Sequence, residues 1–185
     1  MNNRAAVVQF WIWCVVLATA SRYAVAQVST HPEETSSCRQ FAQAFYDWYV
    51  PFTQKRMNGP ASDIALKRKA DMFSQELLRA LKIDSGAQAR AKGELVGIDF
   101  DPFVGSQDPA GHYEARRVTW RGDRCSVEVW PASPTDTAAK SEKPDVVAEL
   151  VQEKGHWQFL NFHYPDLKAD LVSVLARLRE DRRKQ

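Results

Sequence analysis

Two stretches of this chain carry residue types able to do chemistry. Near the C-terminal end, His163 alternates with Trp157, Phe159 and Asn161 along one face of a predicted strand in GHWQFLNFHYP. An imidazole oriented by a carboxylate, here Asp47 or Asp99, is the usual arrangement of a general base. In mid-chain, Asp99, Asp101 and Asp108 crowd around aromatics and a proline in GIDFDPF and the following Gln107-Asp108, with Glu94 nearby. Carboxylates this dense are what a hard cation such as calcium binds. The spacing does not suit a calcium loop, since Pro102 follows Asp101 and no glycine sits at the sharp turn. Aspartates more often close turns by bonding their own backbone, so no metal site is assigned. A hydrogen-bonded histidine at a sheet margin is likewise the commoner use of a residue like His163. His112 and His156 follow glycines at turn edges, and His31 lies in a polar stretch.

Those residues must be placed by an exported domain. Residues 1–26 have the make-up of a signal peptide: Arg4, an uncharged apolar run from Ala5 to Ala20, then Ala24-Val25-Ala26 as the cleavage pattern. The run is shorter than the roughly 20 residues a bilayer span needs, which predicts periplasm or secretion without a permanent anchor. Cleavage leaves 159 of 185 residues, one domain with a real core. It also removes Arg4 and Arg22, so Lys plus Arg falls from 25 to 23 and equals Asp plus Glu at 23. A neutral chain gives no electrostatic case for nucleic acid. Cys38 and Cys125 are then the remaining thiols, and an even pair in an exported protein predicts one disulfide. No CxxC or Cys/His ligand spacing suggests zinc.

The polar stretch 27–36 reads as a linker. From a cap at Ser36 or Ser37, Cys38, Phe41, Ala42, Phe45, Trp48, Tyr49 and Phe52 keep helical spacing up to Pro51 and form one apolar stripe. A second helix, capped by Ser62, carries Leu66, Ala70, Phe73, Leu77, Ala80 and Leu81 toward a stop at Gly86. Beyond the aspartate stretch the pattern changes to alternation. One hairpin spans Tyr113–Trp120 and Arg124–Trp130 around Arg121-Gly122-Asp123. Another spans Asp145–Glu153 and His156–Tyr164 around Lys154-Gly155, and the two are joined by a low-complexity surface loop over 131–144. On the last strand Trp157, Phe159, Asn161 and His163 take one face; Leu160, Phe162 and Tyr164 take the other. Pro165-Asp166 opens a final helix striped by Leu167, Leu171, Val174, Leu175 and Leu178, whose basic end is expected in solvent.

FAQAFYDWYVPF, SQELLRAL, DFDPF with QD, and GHWQFLNFHYP, in this order, resemble the bacterial domain of unknown function 3828 family. That family is similar in architecture to the nuclear transport factor 2-like superfamily. The resemblance covers about Cys38 to Pro165. It implies an α+β fold: a strongly bent antiparallel sheet of about four strands wrapped on N-terminal helices, a cone with a pocket at its open end. The domain would run over 37–165, with the amphipathic helix at 166–185 as an addition. On such a cone Tyr46, Asp47, Tyr49, Asn161 and His163 are the candidate pocket residues. Relatives in the superfamily include cofactor-free isomerases and dehydratases, so His163 with Asp99 is the catalytic pair if the chain is an enzyme.

Against that, no nucleophile elbow, phosphate loop or HExxH is present. The main expectation is a non-catalytic, cofactor-free binding or accessory module with an envelope protein or small ligand as partner. An inhibitor or immunity-type protein acting on an envelope enzyme is a further alternative.

Overall fold

The computed structural model describes residues 32–55, 59–91, 96–132 and 142–184. The signal segment, Glu94 and most of the 131–144 loop lie outside the described residues.

Helix α1 spans Pro32–Thr53. It begins inside the stretch read as a linker, because proline is favourable in a first turn and Glu33 and Glu34 meet the positive end of the dipole. It also runs through Pro51, which near the helix end removes only one intrahelical bond. The expected second helix is two. Helix α2 spans Ala61–Arg68, a 3₁₀ turn covers Ala70–Met72, and α3 spans Gln75–Arg90. The break is tertiary in origin: Phe73 makes a parallel bridge to Phe159, and Ser74 N–H donates to the Phe159 carbonyl at 2.9 Å. Ser74 then caps α3 through its hydroxyl, which accepts from Leu77 N–H. Gly86 lies within α3 and does not stop it.

Strands β1 (Tyr113–Arg121), β2 (Arg124–Pro131), β3 (Val146–Glu153), β4 (His156–Tyr164) and the two-residue β5 (Ala169–Asp170) follow. They form one open antiparallel sheet in sequence order. Gly122 at φ 63° and Gly155 at φ 82° make the two hairpin turns, as their positions predict. The final helix α4 starts late, at Leu171, and ends at Lys184. Residues 165–168 are a turn, which leaves Leu167 54% exposed instead of in the stripe.

Each hairpin contains a bulge, and the one in β4 matters most. Glu149 pairs with Asn161 and Leu150 with Phe159, so Leu160 is an extra residue with no opposite number. One added residue reverses the faces of everything after it. Trp157, Phe159, Phe162 and Tyr164 therefore point into the core, while Asn161 and His163 point out. The simple alternation read from the sequence is wrong beyond Phe159.

The concave side of this curved sheet is filled by rings. Phe45 stacks on Tyr49 at 5.3 Å and meets Phe159 edge-on at 4.9 Å, Phe103 at 5.5 Å and Phe73 at 5.8 Å. Phe41 contacts Phe159 at 5.2 Å, so the α1 stripe lies where its spacing placed it. Leu171 and Leu175 of α4 join this same cluster and do not cover an outer face. Cys38 and Cys125 form the expected disulfide, with Cα atoms 6.8 Å apart, tying α1 to β2. Beside it Trp120 donates to the Thr35 hydroxyl and Trp157 to the Ser37 hydroxyl. Along the outer edge of β1, the Gln43 amide donates to the Tyr113 carbonyl at 3.0 Å and accepts from Ala115 N–H at 2.7 Å.

Candidate functional site

The aspartate stretch folds into a turn closed on itself. Asp101 N–H donates to the Ser106 carbonyl, Gly105 N–H to the Asp101 carbonyl, and Phe103 N–H to Asp101 Oδ1. Gly105 holds φ at 68° with Tyr164 and Val146 close to where a Cβ would stand, so a side chain there would be both strained and crowded. Three tyrosines grip this turn. Tyr49 donates to Asp101 Oδ2 at 2.5 Å, Tyr46 to the Phe103 carbonyl at 2.8 Å, and Tyr164 to the Pro102 carbonyl at 2.7 Å. Burial raises the Asp101 pKa, and the hydrogen bonds from Tyr49 and from the turn's backbone offset only part of that rise. Burial together with the facing carboxylate pushes the Tyr49 phenol far above its ordinary range. The turn reading therefore holds for Asp101.

Around this turn opens a groove of about 820 Å³, bounded by the end of α1, by α2, by α3 and by residues 98–109. Its walls are braced. Ser85 donates to Asp63 Oδ1 at 2.7 Å, joining α3 to α2. Gln88 donates to the Ile98 carbonyl at 2.8 Å, while Asp84 accepts from Ile98 N–H at 3.2 Å and from Arg182 at 2.7 Å. Arg182 also donates to the Val96 carbonyl at 2.9 Å, so the basic end of α4 is anchored by this one arginine instead of standing wholly in solvent. Phe100 and Phe52 add apolar surface, and Asp99, which accepts from Gln107 at 3.4 Å, is exposed at the rim.

The residues of the acid–base hypothesis are not brought together. His163 stands on the outer sheet face with its side chain 44% exposed, its Nε2 3.2 Å from Glu149 Oε2. Glu149 in turn pairs with Arg124 at 3.0 Å. Burial pushes Glu149 upward, but the hydrogen bonds from Arg124 and His163 outweigh it and hold the carboxyl below its ordinary value. Asn161 donates to Asp170 at 2.8 Å and accepts from Val172 N–H, which fixes the start of α4. Neither Asp99 nor Asp47 reaches His163: Asp47 is exposed and bonded to Gln43. Of the five pocket candidates, then, Tyr46 and Tyr49 are buried clamps, Asp47 is surface, and Asn161 and His163 face away from the filled concavity.

The groove residues of α2 and α3 were not singled out by spacing. One signal for them exists: Asp84 continues the stripe Leu77, Leu81 at helical spacing and is buried, and a charge on an apolar stripe implies a buried partner.

Fold and groove together define an α+β domain with an open sheet, a filled core and a braced concavity at the helical corner. No family model matches the chain. No curated protein matches either. Among solved structures, a chain of the type VI native effector-immunity complex Tae3-Tai3 from Ralstonia pickettii is 18% identical, covering 68% of this chain and 93% of that chain at a TM-score of 0.46. A likeness of this size carries no statement about function. No helix among the described residues is long and apolar enough to cross a membrane.

Proposed function

We propose that the chain is an exported, non-catalytic binding module that receives a segment of an envelope protein in the braced groove. One arrangement supports this reading. The concave sheet face is packed with rings around Phe45, while the groove walls are held rigid by Asp84–Arg182, Ser85–Asp63 and the tyrosine-gripped turn. A concavity fixed before its partner arrives binds without a further ordering cost. The inhibitor or immunity-type form of this reading applies if the partner is itself an enzyme. The motif order quoted above supports placing the chain with the domain of unknown function 3828 family.

The test is capture from envelope extracts by the purified protein and by Gln107→Trp, which fills the groove from an exposed position. Capture by the former and loss by the latter is the expected result. Equal capture would move the contact off the groove. If the captured partner is a hydrolase, a stoichiometric amount of this protein should lower its turnover. Turnover by the chain itself that vanishes in His163→Ala would overturn the non-catalytic reading.

A further inference from the structure

Charge on this surface is unevenly paired. Among the described residues the ion pairs lie on the sheet, at Lys143–Asp166, and along α4 including its bond to Asp84. None involves Lys55, Arg68 or Lys69, which meet at the corner between the end of α1 and the end of α2. What these cations touch is aromatic. Lys55 Nζ lies 5.7 Å from the Phe52 ring centre, and the Arg68 guanidinium lies 6.0 Å from the same ring. Lys69 Nζ lies 5.4 Å from the Trp48 ring. Lys67 and Arg68 also occupy the last turn of α2, where the helix dipole favours cations. Lys55 comes from the turn that closes α1, three residues after Phe52, and shares that ring with Arg68 of α2. Phe52 and Lys55 further line the groove.

We infer that this corner is a docking surface for an acidic segment of a partner protein, its carboxylates meeting Lys55, Arg68 and Lys69 beside the groove. The inference rests on the binding-module reading and names the chemistry of that partner. One feature favours a peptide carboxylate over an anionic membrane. Trp48 and Phe52 are half-buried beneath the cations, so neither ring is free to enter a bilayer.

The test uses the purified protein and a fluorescein-labelled hexaglutamate peptide, read by anisotropy, so it does not depend on capturing any natural partner. Saturable binding that weakens as salt is raised is expected. Arg68→Glu with Lys69→Glu should weaken it by roughly tenfold or more, because opposite charges become like charges. Arg68→Gln with Lys69→Gln should give a smaller loss and guards against a fold defect. Lys154→Glu with Lys168→Glu, the same change in net charge elsewhere, should leave binding unchanged. No binding, or binding equally weakened by the distant pair, would overturn the inference. So would an unaffected peptide together with patch-dependent binding to vesicles of phosphatidylglycerol. A groove-dependent natural partner captured equally by the Arg68/Lys69 reversal would remove this surface while leaving the binding-module reading in place.

Discussion

Phe45 shows how much one residue can carry. It is 1% exposed and meets rings from α1, from Phe73 just after the 3₁₀ turn, from the aspartate turn and from β4. Phe45→Ala should cost about 3–5 kcal/mol, the range for truncating a buried phenylalanine, measured by urea unfolding. Glu149 sets a pH dependence. Its folded pKa lies below the ordinary value, so its contribution is fully present above the unfolded carboxylate range and is lost as pH falls through the folded value. The urea midpoint should therefore drop between about pH 6 and pH 3, and Glu149→Gln should shrink that drop. An unchanged acid limb in the variant would assign the dependence to other carboxylates.

At the scale of elements, the helices and hairpins were legible wherever periodicity alone decides. The α1 stripe, the faces of β2 and both hairpin turns follow from spacing and from two glycines. Three features did not. Nothing local marks Leu160 as a bulge, because the extra residue is defined by the register of β3. The break between α2 and α3 depends on Phe159, far along the chain. The late start of α4 depends on Asp170, which accepts from Ser173 N–H and from Asn161. The candidate catalytic face failed for the first of these reasons: one inserted residue turned His163 outward. What α4 contributes is testable through Arg182, whose side chain is 19% exposed against 6% for Asp84. Arg182→Ala leaves a buried carboxylate with Ile98 N–H as its remaining partner and should cost about 3 kcal/mol, whereas Arg183→Ala should cost almost nothing.

For the whole molecule, the disulfide is the covalent constraint, closing 87 residues of sequence. Cys38→Ala with Cys125→Ala should lose at most about 4–5 kcal/mol on the chain-entropy account, read as a lower thermal midpoint. Both cysteines are fully buried, so the native protein should also resist mild reductant until it unfolds. The aspartate stretch was legible as the place where a helical half meets a sheet half. The groove beside it was not, since its walls come from elements whose charged residues pair only in three dimensions.

Gln43 has a consequence for life in a crowded compartment. An antiparallel sheet whose first strand lies at its margin offers unmatched N–H and C=O groups to any neighbour, including another copy of the same chain. By bonding Tyr113 and Ala115 as a strand would, the Gln43 side chain occupies that margin with two atoms borrowed from a helix. Gln43→Ala should then change solubility more than stability, promoting slow, concentration-dependent growth of β-rich aggregates visible by light scattering and thioflavin T. A variant that stays monomeric at high concentration would show that the α1 backbone alone is enough to guard the edge.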